Sequence, residues 1–176
     1  MTAQTRREVL AVEAECEILQ IDNREGDTMY LVSACLLGVN CRYDGGCFHN
    51  ERLLELAGQG LAVPVCPEQL GGCGTPRQPC EICGGSGGDV LDGRCHVISI
   101  KGEDATDKYV NGAIEALKLA EACGIKKAIL KSRSPSCGYG EIYDGSFSRR
   151  TARGNGVTAE LLIRNGIEVL TEEDFR

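Results

Sequence analysis

Histidine is scarce, with only His49 and His96 in the chain. Metals that favour imidazole, such as copper, nickel or non-haem iron, find few ligands here. Positive charge is also in deficit: 19 lysines and arginines face 26 aspartates and glutamates, for a formal net charge of −7. A dense basic face supplies most of the affinity of a nucleic-acid binder, so that class is not expected. The one local basic site on offer would draw on Lys126, Lys127, Lys131, Arg133, Arg149 and Arg150. No apolar run is long enough to cross a membrane, and none near the N-terminus resembles a signal peptide. The expectation is a cytoplasmic protein without a membrane partner. Internal repeats and low-complexity linkers are missing too, and 176 residues suit one domain with a core of its own.

What the chain has in excess is cysteine, eleven in all. A cytoplasmic chain keeps its thiols reduced, and an odd count leaves one unpaired under any all-disulfide scheme. Metal binding or thiol chemistry is the better expectation, and a supply rich in thiolate and poor in imidazole favours zinc or iron–sulfur.

Residues 1–28 read as an N-terminal extension rich in Arg and Glu, and Met29 offers an alternative start. Cys16 lies in this stretch and is expected to pack or idle. The domain proper is expected over residues 29–176. Tyr30–Ala34 is a short apolar run ending in a loop, the pattern of a buried strand. Asn50 can cap a helix over Glu51–Leu56. Leu61–Val65 reads as a second strand, whose Pro64 points to an end or an edge. Residues 71–95, dense in Gly, Pro and Cys, read as an excursion loop, and Val97–Ile100 as a third strand. Asp104 or Thr106 can cap a helix carrying Tyr109, Val110, Ala113, Ile114, Leu117 and Ala120 at helical spacing, with Gly124 as its stop. Lys127–Leu130 is the next strand, Val157–Arg164 a helix, and Ile167–Leu170 the last strand. Strands alternating with helices imply an α/β fold, Rossmann-like and three-layered, with a mostly parallel sheet.

Ligands of open α/β sheets bind beyond the carboxyl ends of the strands. Cys35 follows the first strand, Cys66 the second, and Cys137 the strand at Lys127–Leu130. Three cysteines distant in sequence thus fall on one edge of one sheet, each near a loop with Gly or Pro. Three thiolates and no fourth would leave one iron of a four-iron cubane open to a substrate. Soft iron suits a sulfur-bearing guest such as a thiocarbonyl. Glu68, two residues from Cys66, is placed to activate water or pass a proton. Ser134, Ser136 and the N–H groups around Gly138 are donors for sulfide or an anion. The competing site is a zinc knuckle at Cys80-Glu81-Ile82-Cys83 with Cys95 and His96. Cys123 ends a helix and is expected in the core, while Cys41, Cys47 and Cys73 fall into no element that would make them a site.

Several stretches are familiar in combination: Leu31-Val32-Ser33-Ala34-Cys35-Leu36-Leu37-Gly38, Cys41-Arg42-Tyr43-Asp44-Gly45, Val65-Cys66-Pro67-Glu68, Thr75-Pro76-Arg77 and Ser134-Pro135-Ser136-Cys137-Gly138. With these motifs the chain, from Tyr30 onward, resembles the thiouracil desulfidase family. The resemblance implies a four-iron, four-sulfur cluster on Cys35, Cys66 and Cys137, with one iron free for the sulfur of a thiolated pyrimidine. Water then replaces that sulfur without net redox, and sulfide leaves. It implies acid–base and positioning roles for Glu68 and Ser134, and Arg77 as a residue that holds substrate or a loop. Cys73 and Cys80 stand where the family pattern has apolar or small residues, and residues 80–95 are richer in cysteine. A fourth ligand from Cys41, Cys73 or Cys80 would close the open iron and silence the site.

Three functions follow as rivals. The first is a desulfidase acting on a small thiolated pyrimidine. The second is a structural zinc module on Cys80, Cys83 and Cys95. The third is an iron–sulfur sensor or sulfur carrier without turnover. Oligomeric state has no signature in the sequence.

Overall fold

The structure, a computed structural model, describes residues 28–175. The expected extension, Cys16 included, lies outside them apart from Thr28. In chain order the elements are β1 (Tyr30–Ser33), α1 (Glu51–Gly58), β2 (Ala62–Val65), α2 (Pro67–Leu70), β3 (Cys80–Cys83), α3 (Gly87–Leu91), β4 (His96–Ser99), α4 (Thr106–Ala122), β5 (Lys127–Leu130), β6 (Glu141–Tyr143), β7 (Thr151–Arg153), α5 (Val157–Arg164) and β8 (Glu168–Thr171). Short 3-10 turns follow β1 at Ala34–Leu36 and β8 at Glu172–Phe175.

The main sheet has the order β2-β1-β5-β8, and its pairings are parallel. Its inner strands β1 and β5 are buried on both faces along three of their four residues, which is why they read as apolar runs. Leu31, Ala128 and Leu130 face one layer, packed on Ala116 and Ala120 of α4 and Ala159 and Leu162 of α5. Val32 and Ile129, one position along, face the opposite layer and meet Leu53 of α1. The fold is therefore α/β with helices on both faces of a parallel sheet. Pro64 sits on β2, an edge strand, where a missing N–H costs no ladder bond. Strand order reverses between β1 and β5, and a ligand crevice belongs beyond the carboxyl ends there.

Asn50 caps α1 as expected, its side chain accepting the Leu53 N–H at 3.2 Å. Alanine at this position is expected to cost about 1 kcal/mol, read as a lower urea midpoint with unchanged slope. Gly124, at φ 65, lies just beyond the end of α4 and adopts the left-handed stop conformation.

Three sequence expectations need correction. Residues 71–95 are not loop throughout, because they contain β3 and α3. The strand expected at Val97–Ile100 is β4, and it pairs antiparallel with β3 instead of joining the main sheet. This ribbon has its own core, in which Ile82, Val90 and Val97 pack on Tyr109 and Ala113 of α4. Cys123, expected inside, is exposed. The ribbon β6–β7 was not anticipated; the three residues of β7 are all exposed and carry no apolar signal. Among the described residues, no helix is long and apolar enough to cross a membrane.

Candidate functional site

Beyond the carboxyl ends of β1, β2 and β5 lies a cavity of about 580 Å³. Cys35, Cys66 and Cys137 all line it, as do Glu68 and Ser134. The structure thus brings together all five residues singled out in the sequence. Each reaches the cavity by a different piece of local chemistry.

Cys35 sits in the 3-10 turn after β1 and is 8% exposed. Its carbonyl accepts the Phe48 N–H at 2.7 Å, which folds residues 36–48 back over the strand end. Cys66 occupies the N-cap position of α2, followed by Pro67 in the first turn, where a missing N–H is harmless. The end of α2 rests directly on α4: a Cβ at Gly71 would lie 1.8 Å from the Lys108 carbonyl oxygen, and one at Gly112 1.9 Å from that of Pro67. Only glycine permits this approach, and it fixes Cys66 and Glu68 against the fold's longest helix.

Cys137 is held by α5. The first N–H groups of that helix have no partners within it. Val157 and Thr158 donate theirs to the carbonyls of Pro135 and Ser136 at 2.9 and 2.8 Å. The cysteine loop is thereby the cap of the helix. Ser134 Oγ accepts the N–H groups of Ser136 and Cys137, each at 3.1 Å, and so shapes the turn while lining the cavity. Ser136 is fully buried with its hydroxyl against Thr158 Oγ1 at 2.8 Å. The expected donor role of Ser136 toward a ligand thus becomes a structural one.

Glu68 is gripped from two sides. Arg77 Nε donates to its Oε2 at 2.6 Å, and the Tyr109 hydroxyl donates to the same oxygen at 3.1 Å. Arg77 also donates from Nη1 to the carbonyls of Cys41 and Gly74, so it ties the loop after Cys35 to the loop after α2. Burial alone would lower the Arg77 pKa, but the Glu68 carboxylate outweighs it and raises it. Burial, then the Glu68 charge, raises that of Tyr109, which keeps its proton as a donor.

A fourth thiol stands among the three. Cys41 is 1% exposed, and the Cys66 thiol donates to its backbone carbonyl at 3.8 Å. The pKa of Cys41 is pushed up to about 11, first by Cys35. That of Cys66 is raised, first by Cys41 and then by burial. Burial pushes Cys137 up to about 12. Cys41 lies in no helix or strand; its signal in the sequence was the motif Cys41-Arg42-Tyr43-Asp44-Gly45. Cys41, Cys66 and Cys137 thus hold their protons until a positive centre arrives, and a set of soft donors of this kind suits iron or another thiophilic metal. Among the described residues, no three Cys, His, Asp or Glu side chains converge as one ion would require. A cubane asks for less convergence, since each thiolate reaches a different iron.

The zinc knuckle does not form. Cys80 and Cys83 are three positions apart on β3, so they face opposite sides of the ribbon. Cys80 lines the cavity and its thiol meets the Gln78 carbonyl at 3.6 Å, whereas that of Cys83 meets the Gly145 carbonyl at 3.7 Å. The basic cluster read from sequence is likewise divided. Lys131, Arg133 and Arg149 line the cavity, while Lys126 and Lys127 lie beside a second hollow with Thr28 and Met29. Lys131 is bound to Glu172, and Arg133 pairs with Glu141 at 3.1 Å.

YbbK of Bacillus subtilis (strain 168), an uncharacterised protein, is 46% identical over 147 residues, covering 84% of this chain and 97% of that one. The solved structure of TudS, a 4Fe-4S-dependent thiouracil desulfidase, matches with a TM-score of 0.74 and 42% identity over 84% of this chain and 92% of that one. A 2-thiouracil desulfurase family model matches residues 30–174, nearly everything the structure describes, and the chain belongs to that family.

Proposed function

We propose that this protein is an iron–sulfur-dependent desulfidase that removes sulfur, as sulfide, from a small thiolated pyrimidine such as thiouracil, without net redox. The observation that carries the reading is the meeting of Cys35, Cys66 and Cys137, each from a different strand end, in one cavity with Glu68. These three cysteines would hold a four-iron, four-sulfur cluster. With one iron free of protein ligands, the cluster supplies a soft Lewis acid for the thiocarbonyl sulfur.

The chain's own groups do the rest. Glu68 takes a proton from the water that attacks the thiocarbonyl carbon and returns it to the departing sulfur. Arg77 and Tyr109 fix the carboxylate on one oxygen, leaving Oε1 for that exchange. Ser134 holds the Cys137 turn through its oxygen and keeps its hydroxyl hydrogen for the substrate side of the cavity. We place this chemistry in the cytoplasm, where thiols stay reduced.

The test is anaerobic reconstitution with iron and sulfide, then an assay of sulfide and uracil from 2-thiouracil. The wild type is expected to release both in equal amounts. Glu68→Gln is expected to keep the cluster and lose roughly a hundredfold in turnover. A reconstituted brown protein that releases no sulfide would favour the sensor reading.

A further inference from the structure

Besides Glu68, the cavity is lined by Glu81, Glu172 and Glu173, and Glu172 is bound to Lys131. Glu81, on β3, is only 8% exposed and lines the same cavity as the thiols and Glu68. Its Oε2 accepts the N–H of Phe147 at 3.0 Å. The chain shapes the loop between β6 and β7 to aim that donor. Gly145, at φ 85, brings its backbone against β3, where a Cβ would lie 2.5 Å from the Ile82 carbonyl oxygen. Phe147 itself stands at φ 56, a left-handed conformation uncommon for a non-glycine residue. Among the described residues, Oε1 of Glu81 has no hydrogen-bond partner and is not sealed in the core, and Glu81 lines the cavity.

A carboxylate with one oxygen fixed by the backbone and the other accessible is a pre-set acceptor for a donor that enters and displaces water. The thiocarbonyl carbon of a thiouracil is bonded to ring nitrogen, and that nitrogen carries a hydrogen. With the sulfur directed toward the cysteines, the ring presents an N–H edge elsewhere in the cavity. We propose that Glu81 Oε1 accepts a ring N–H of the pyrimidine and so selects rings that carry a hydrogen on nitrogen. This assignment rests on the desulfidase reading and deepens it: Glu68 serves the reacting carbon, and Glu81 reads the ring.

Glutamine at this position keeps the size but has one acceptor oxygen. If that oxygen serves Phe147, the amide NH2 meets the ring N–H donor to donor. The experiment is calorimetric binding of uracil, 1-methyluracil and 3-methyluracil to reconstituted wild type and Glu81→Gln, with iron and labile sulfide measured on both. Wild type is expected to bind uracil, and Glu81→Gln to bind it roughly ten- to a hundredfold more weakly. One of the two methylated rings is expected to lose a similar factor in wild type and little more in the variant. Equal binding of uracil by both proteins overturns the assignment. So does a methylation penalty that is the same in both, which would be steric. Should the variant fail to hold its cluster, wild type still decides, because equal binding of all three rings overturns the assignment, as does no binding of uracil. Sulfide release from thiouracil without any Glu81 effect sinks this assignment alone, whereas discrimination by Glu81 without sulfide release sinks the desulfidase reading alone.

Discussion

Alanine at Cys35, Cys66 or Cys137 is expected to yield a folded protein that binds little iron and releases sulfide only at the background rate. The three thiols come from three strand ends, and Cys41 is the one neighbouring thiol among the described cavity residues that could stand in for Cys35. Iron and acid-labile sulfide content, with the absorbance of the thiolate-to-iron band, are the measurements. The fold should survive, since each change removes a single sulfur atom at the edge of the core and none of the strand pairings. Cys41→Ala separates ligand from neighbour. As a bystander that contacts Cys35 and Cys66, it should leave cluster content near wild type and shift only the cluster's lifetime in air. Loss of the cluster in Cys41→Ala together with retention in one of the other three would reassign the ligand set. Cys123→Ala, at an exposed position, is the control for handling and should behave as wild type.

Gly112→Ala is expected to cost about 3 kcal/mol, among the larger effects of a single methyl group. The added Cβ would stand 1.9 Å from the Pro67 carbonyl oxygen and 3.2 Å from the Gly71 N. These atoms belong to the backbone of α2 and its end, so no rotamer change relieves the contact. Either α2 lifts from α4 or the two elements part together. In both cases Cys66 and Glu68 move with α2, so cluster content should fall alongside the urea midpoint. Asn111→Ala, one residue away on the exposed face, should stay within about 0.5 kcal/mol of wild type. Equal stability of the two variants would show that the α2–α4 contact is looser than the structure has it.

The main sheet was legible because its strands are continuous apolar runs with a loop or cap at each end. Tyr30–Ser33, Ala62–Val65 and Lys127–Leu130 all follow that pattern. Once these strands were set parallel, Cys35, Cys66 and Cys137 had to share an edge. The ribbons were less legible for physical reasons. A four-residue run such as His96–Ser99 says that a strand exists and nothing about which strand it joins. Cys80 and Cys83 form a spacing familiar from metal sites, and only the strand alternation shows that the thiols part company. Glu81 lay hidden inside that same spacing. Tyr109 read as one more apolar position of a helix, and its hydroxyl bond to Glu68 depends on tertiary placement that no periodicity encodes.

The pairing of β1 with β5 joins residues nearly a hundred positions apart in the chain. Between them lie β2, both strands of the first ribbon and the whole of α4. Cys35 and Cys66 emerge early in synthesis, but Cys137 joins them only after β5 has docked on β1, a non-local step that folds slowly. A nascent chain therefore carries up to ten loose thiols before it owns a three-thiol site. Under the proposed reading, metal delivered during translation would meet cysteines in the wrong company, and a cluster would be loaded only once β5 has docked on β1.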